Sequence, residues 1–320
     1  MVIGILIALL LPAVSAQEIV WHDSVRQRSI PVKFYLPRST EKSPVILFSH
    51  GIGSSIESCA YLANAWAARG FVCVLVQHPG SDEKIWKGKV RILNEFKKAY
   101  EQNWNSRTRA QDLQFVLNCL ERLVQSDPQF AARMDLDRIG VGGIDLGALA
   151  ALLLAGQVPP DDGDSLYDLR IKAVLALSPP VPPTKMDYQA MYQPISVPAF
   201  FLTGTNDDGI VGSTKAVQRR IPFDAMVQNQ RYLITLDGGD HRMYGGRVVS
   251  FLSGRNDEKF QAAIVRSSSY FWCAFLQNDP IAIRAMNNDG WESLVGVKAS
   301  IERRGVPIEA IQPGLEMPID

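Results

Sequence analysis

The chain has 320 residues, of which 47% are hydrophobic and 21% charged, and its 33 basic side chains balance 33 acidic ones. A chain of this length buries roughly three quarters of its unfolded surface, so it needs no disulfide framework or structural metal to fold. Zero net charge gives the chain as a whole no basic footprint of the kind that nucleic-acid binding requires, and we expect no nucleic-acid partner. The four scattered cysteines form no C-x-x-C pair, so we expect buried thiols with at most one disulfide, no metal and no cofactor.

The first residues form an apolar segment. Residues 2–11 are almost wholly apolar, and small residues follow as far as Ala16. This run is shorter than the about 20 residues that span a bilayer, and the pattern is typical of a secretory signal peptide, residues 1–16. We therefore expect a secreted or periplasmic chain over 17–320 with no stable membrane span. Because no Lys or Arg precedes the run, the alternatives are an N-terminal strand in a cytoplasmic protein or a misassigned start codon.

Apolar strands and amphipathic helices alternate along the remaining chain. The predicted strands are 29–36, 44–49, 71–76, 138–142, 171–177, 199–202 and 232–236, and the predicted helices are 58–69, 107–126, 148–155 and 259–276. This alternation favours one α/β domain with a mostly parallel central sheet and helices on both faces. Residues 81–106 are charged and amphipathic without a strand signal. They predict a helical cap excursion over a pocket or, equally well, a solvent-exposed helical face.

The segment Gly143-Ile-Asp-Leu-Gly147 lies between a strand and an Ala/Leu-rich helix. In that context it matches the G-x-S-x-G nucleophile elbow, with Asp145 in place of the serine. The glycines permit a sharp turn that presents the central side chain at the end of the sheet. We expect the Leu146 N–H, and the Ile52 N–H in the loop that follows an earlier strand, to form an oxyanion hole.

Two later segments supply an acid and a histidine. Asp207 follows the strand at 199–202, and His241 follows the strand at 232–236. The chain order of nucleophile, acid and histidine is the one that α/β-hydrolases use. Asp208 is the alternative acid, and His241 could instead be structural. We expect His50 and His78 to pack in loops, because no ligand spacing around them completes a metal site.

The chain resembles the α/β-hydrolase superfamily, in particular the predicted dienelactone hydrolase and platelet-activating-factor acetylhydrolase-like group. The resemblance spans roughly residues 31–276 and implies the α/β-hydrolase fold. Enzymes of that group hydrolyse esters with a Ser or Cys nucleophile, whereas here the position is Asp145, preceded by Ile144 where His is common. The matching pieces are Ser49-His-Gly51, His78-Pro-Gly-Ser-Asp82, Arg138-Ile-Gly-Val-Gly-Gly143, Leu202-Thr-Gly-Thr205, Arg220-Ile-Pro-Phe-Asp224 and Leu236-Asp-Gly-Gly-Asp-His241.

An aspartate at the elbow changes the expected chemistry. A carboxylate at a helix N-terminus is ionised at neutral pH and attacks without a base, but it is a weak nucleophile. Attack on a halide- or epoxide-bearing carbon gives an alkyl ester that His241 and Asp207 could help water to cleave, a logic similar to that of haloalkane dehalogenases and epoxide hydrolases. Leu146 stands where such dehalogenases commonly carry Trp. The alternatives are a weak carboxylic-ester hydrolase and an inactive hydrolase-fold binding protein.

Overall fold

The computed structural model describes residues 15–161, 163–182, 187–227, 230–244, 257–287 and 295–305. The predicted signal peptide lies outside these residues except for its last two. The strands are β1 Ser15–Asp23, β2 Arg28–Leu36, β3 Ser43–Ser49, β4 Val72–Val76, β5 Met134–Ile144, β6 Ile171–Leu177, β7 Ala199–Asn206, β8 Arg231–Asp240 and β9 Ala299–Arg304. The helices are α1 Ala60–Ala67, α2 Ile92–Asn103, α3 Arg107–Ser126, α4 Pro128–Arg133, α5 Leu146–Leu154, α6 Tyr188–Tyr192, α7 Ile221–Ala225, α8 Asp257–Leu276 and α9 Pro280–Asn287.

The described strands form one nine-stranded sheet in the order β1-β2-β4-β3-β5-β6-β7-β8-β9. The central pairings, from β4 through β3 and β5 to β8, are parallel. Antiparallel pairings join β1, β2 and β4 at one side and β8 to β9 at the other. The predicted α/β architecture with a mostly parallel sheet is therefore confirmed.

Both faces of the central strands are covered. Along β3, Val45 and Leu47 point into one hydrophobic cluster, with residues of α3 and α5, while Ile46 and Phe48 point into a second cluster, with residues of α1 and α8. Side chains alternate along a strand, so an apolar run without polar interruptions is what burial on both faces requires. Because the strands are parallel, the loops after β3, β5, β7 and β8 lie at one edge of the sheet.

The edge strands were not predicted. β1 is mostly exposed, and β9 is half-buried to exposed, so neither carries an apolar run that identifies a strand. Segment 81–106 is helical in part, with a single 3-10 turn at Glu83–Ile85 followed by α2, and no strand of the sheet runs through it. All four cysteines are free thiols. Among the described residues, no helix is both long enough and apolar enough to cross a membrane.

Candidate active site

The turn from β5 into α5 holds Asp145 in a strained backbone conformation. Asp145 has φ 54° and ψ −123°, which an L-residue adopts at a cost on the order of 1–3 kcal/mol. The flanking glycines make this turn possible, because a Cβ at Gly143 would collide with the Gly147 backbone and a Cβ at Gly147 with the Ser49 carbonyl. A strained turn from a strand into a helix, with its side chain presented at the end of the sheet, is the geometry that defines a nucleophile elbow.

The Asp145 carboxylate faces the loop after β3. The Ile52 N–H donates to Asp145 Oδ2 over 3.4 Å. Leu146, the other predicted donor, is the first residue of α5, and Asp145 makes no side-chain capping bond to the amides of that helix within the described chain. One carboxylate oxygen thus has the Ile52 N–H as its contact.

His241 follows β8 directly, and its imidazole contacts Asp207. His241 Nδ1 lies 2.8 Å from Asp207 Oδ1 and 2.9 Å from the Ser178 hydroxyl, which itself donates to Asp207 Oδ1 over 2.9 Å. A histidine ring that donates its Nδ1–H to a carboxylate has its lone pair on Nε2, where it can accept a proton. Asp208, the alternative acid, is exposed and pairs with Lys215 over 2.9 Å.

Asp207 is fully buried at the end of β7 and is surrounded by donors. Its Oδ2 accepts from the Thr203 hydroxyl at 2.9 Å and from the Tyr244 hydroxyl at 3.3 Å. Arg219 Nε lies 3.3 Å from the same oxygen and donates to the Asp207 carbonyl over 2.6 Å. A buried carboxylate needs such compensation, and these contacts orient Asp207 toward His241.

Asp145 and His241 line one cavity of about 360 Å³. Within the described chain no hydrogen bond joins the two side chains, so the carboxylate and the imidazole face a shared space. The wall is mostly apolar and comes from the loops at the carboxyl edge of the sheet and from the helical segment 81–106. It includes Ile52, Trp86, Ile92, Leu93, Phe96, Tyr100, Ile144, Pro180, Ile210, Val211, Arg219 and Tyr244.

Arg109 lies behind the loop after β3, and the sequence analysis missed it. This fully buried guanidinium, on the third residue of α3, donates to the His50 carbonyl over 2.6 Å and to the Ser81 carbonyl over 3.2 Å. Burial lowers its pKa to about 10, while the charge of Asp145 opposes that shift. The sequence did carry a signal for this residue, because a basic residue on the apolar stripe of an amphipathic helix requires buried partners.

A second buried chain of polar groups lies beside Arg109. The Ser49 hydroxyl lies 2.8 Å from His78 Nε2, and His78 Nδ1 lies 3.0 Å from Asp112 Oδ2. Burial lowers the pKa of His78 to about 4. Burial opposes ionisation of Asp112, but hydrogen bonds from His78 and Arg28 outweigh it and lower its pKa to about 2. All three side chains are fully buried. This hydrogen-bonded set therefore stabilises the loops and does not contact a substrate.

Arg219 and Tyr100 are further polar groups of the cavity wall. Arg219 Nη1 binds the Ser178 and Pro179 carbonyls, whereas its Nη2 reaches His241 Nδ1 at 3.5 Å. Burial, and then the Asp145 charge, raise the pKa of the Tyr100 hydroxyl above its ordinary value. Nothing in the sequence distinguished these residues from other basic or aromatic residues.

No metal site accompanies these residues. Across the described ranges, no group of three or more His, Cys, Asp or Glu side chains is placed to hold a metal ion. In the acidic segment 161–164, Asp161 pairs with Arg107 over 2.9 Å. The chain matches no protein-family model and no curated protein. The chemistry of the site therefore has to be argued from its geometry.

Proposed function

We propose that the protein is a hydrolase of the α/β-hydrolase fold that forms a covalent ester on Asp145. The observation that carries the proposal is the contact between Asp145 Oδ2 and the Ile52 N–H, on a strained turn whose side chain shares a cavity with His241. One oxygen is held in an oxyanion position, and the other is left to attack. The chain order of Asp145, Asp207 and His241 also supports this fold.

In the first step, the free carboxylate oxygen of Asp145 attacks an electrophilic carbon. A carbon–oxygen bond forms and the bond to the leaving group breaks. A halide departs with the electron pair, whereas an epoxide oxygen stays on the substrate as an alkoxide and takes a proton from water. The Ile52 N–H stabilises the other oxygen throughout. No base is needed, which fits a site where Asp145 and His241 share no hydrogen bond.

In the second step, water cleaves the Asp145 ester. His241 Nε2 takes a proton from water as the water oxygen attacks the carboxyl carbon, and Asp207 stabilises the resulting imidazolium. Negative charge develops on the oxygen beside Ile52. Collapse expels the alkoxide, which takes the proton from His241, and the regenerated acid ionises. The balance for a halide is halide plus water to alcohol, halide ion and a proton.

The cavity favours a small apolar electrophile. Its volume of about 360 Å³ lies at the lower end of small-molecule sites, and most of its wall is aliphatic or aromatic. Alkyl halides and epoxides carry such electrophilic carbons, and esters are the alternative substrate class of the same fold.

Intact-protein mass spectrometry of His241→Gln tests the proposal. Without its base the second step stops, so n-butyl bromide or styrene oxide should leave one alkyl group on the protein, within the peptide that contains Asp145. The matched control is Asp208→Asn combined with His241→Gln, which should label equally. Asp145→Asn combined with His241→Gln should not label. Absence of an adduct with either compound in folded protein contradicts the proposal.

Asp145→Ser separates a functional site from an inactive scaffold. With Ile52 and the His241–Asp207 pair in place, the serine should hydrolyse p-nitrophenyl acetate about a hundredfold faster than Asp145→Ala, the size of a general-base contribution. Equal rates in both folded variants would favour a binding protein. Ester hydrolysis by the native Asp145 protein, with no alkyl adduct, would favour the weak ester hydrolase.

A further inference from the structure

The cavity opens at a surface with several exposed apolar side chains. Val90, Leu93 and Ile92 are 99%, 70% and 44% exposed, and Ile210 across the opening is 59% exposed. Ile92, Leu93 and Ile210 also line the cavity, so the apolar wall continues onto the outer surface. Single exposed apolar residues are ordinary, but several around one opening form a patch of the kind that marks a binding surface.

The segment that carries Val90, Ile92 and Leu93 is strongly basic. Residues 84–98, which we call the mouth segment, carry one acidic residue, Glu95, in a protein with no net charge. Lys87 pairs with Glu83, and within the described chain the other basic side chains of the segment form no ion pair. Asp208, which precedes the lining residue Gly209 in the chain, is neutralised by Lys215. The exposed basic residues of the mouth segment are Lys84, Lys87, Lys89, Arg91, Lys97 and Lys98.

The helix of the mouth segment is amphipathic. In α2, Ala99 is buried, Phe96 and the exposed Leu93 line the cavity, and Lys97 and Lys98 are exposed to solvent. Trp86 Nε1 donates to the Gly53 carbonyl over 2.6 Å, which fixes the segment to the loop after β3, and Phe96 stacks on Trp86 with ring centroids 6.4 Å apart. The exposed apolar and basic side chains are therefore presented on an anchored element.

We propose that the mouth segment binds the surface of an anionic lipid bilayer and places the cavity opening against it. Exposed aliphatic side chains flanked by lysines and arginines are what interfacial attachment requires: the former enter the boundary of headgroups and acyl chains, and the latter attract anionic headgroups. The local excess of positive charge selects an anionic over a neutral surface. This attachment goes beyond the proposed hydrolysis and does not depend on it.

Vesicle sedimentation of the full chain tests the proposal. Binding should be about tenfold stronger to phosphatidylcholine vesicles containing one third phosphatidylserine than to phosphatidylcholine alone, and should weaken as salt is raised. Lys89→Gln with Arg91→Gln should lower that preference several-fold. The matched charge control is Arg38→Gln with Lys42→Gln, two exposed cations in the loop before β3, at the opposite edge of the sheet.

The apolar contribution has its own pair of variants. Val90→Ser with Leu93→Ser should lower binding several-fold. Leu169→Ser with Ile281→Ser, two comparably exposed apolar residues away from the cavity, should not. Equal binding by mouth and control variants would place the attachment elsewhere, for instance in residues 2–11, and overturn the proposal. Binding to heparin without binding to vesicles would indicate a soluble polyanion or acidic protein and would also overturn it.

Discussion

Arg109 donates a hydrogen bond of 2.6 Å to the carbonyl oxygen of His50, two residues before the amide that contacts Asp145. The same guanidinium reaches the Ser81 carbonyl, which also accepts from the Gly53 N–H over 2.9 Å. The buried Arg109 guanidinium therefore links the loop after β3, which contains Ile52, to the loop after β4. The direction of the Ile52 N–H depends on α3, an element that contributes nothing to the cavity wall.

Arg109→Gln is expected to slow hydrolysis of the Asp145 ester about a hundredfold, close to the loss of one oxyanion donor. The His50 and Ser81 carbonyls would lose their buried partner, so we also expect unfolding to become easier by about 2–3 kcal/mol. Single-turnover kinetics and denaturant unfolding measure the two effects. Arg107→Gln, on the same helix but paired with Asp161 at the surface, should leave ester hydrolysis unchanged.

Asp207→Asn should separate the two chemical steps. An amide in place of the carboxylate neither fixes the Nδ1–H tautomer of His241 nor stabilises the imidazolium, so ester hydrolysis should fall about 10³- to 10⁴-fold. Alkylation of Asp145 uses no base and should continue. The alkyl adduct should therefore accumulate in Asp207→Asn and not in Asp208→Asn, as mass spectrometry would show. Similar adduct levels in both variants would indicate that Asp207 is not the partner of His241.

The strained turn predicts a stability gain on removal of the side chain. Asp145→Gly should raise the free energy of unfolding by about 1–2 kcal/mol, because glycine adopts φ 54° and ψ −123° without steric cost. Asp145→Ala keeps a Cβ and should therefore not show this gain in the free energy of unfolding. Chemical denaturation of both variants tests this, and a more stable alanine variant would argue against backbone strain at the elbow.

His78 should make the fold sensitive to moderate acid. Because burial lowers its pKa from 6.5 to about 4, the unfolded chain binds a proton in this interval that the folded chain does not. Stability should therefore fall as the pH drops from 6.5 to about 4, on the order of 3 kcal/mol from this residue. His50 shifts in the same direction through burial, so some slope should remain in any His78 variant.

His78→Gln isolates that contribution. Its free energy of unfolding should depend less steeply on pH between 6.5 and 4 than that of the unmodified protein. His22→Gln, at an exposed position, should keep the full slope. Equal slopes in His78→Gln and the unmodified protein would exclude His78 as the source of the sensitivity.

Regular core elements could be predicted from sequence because their periodicity is strong. The helix over 107–126 and the strand over 171–177 have those bounds in the structure. The edge strands β1 and β9 escaped prediction because one face of each meets solvent, and their side chains carry little apolar signal.

The candidate site also contains residues that local motifs predict and residues that only the folded chain brings together. Local motifs in chain order singled out Asp145, His241 and Asp207 as candidates, since each follows a strand at the same edge of the sheet. Ser178 and Arg219 act through partners distant in sequence, and no local pattern distinguishes them. Ser178, with φ 53°, follows β6 and contacts both Asp207 and His241. Pairing between distant loops is a property of the folded chain.

The fate of a heavy oxygen atom tests the covalent intermediate most directly. Excess enzyme is given a limiting amount of the alkyl halide or epoxide that labels His241→Gln, in water enriched in heavy oxygen, so that each molecule turns over once at most. We expect the heavy atom in the Asp145 carboxylate and unlabelled oxygen in the alcohol. Heavy oxygen in the alcohol, with an unlabelled Asp145 peptide, would mean that water attacks the substrate directly and would contradict the account.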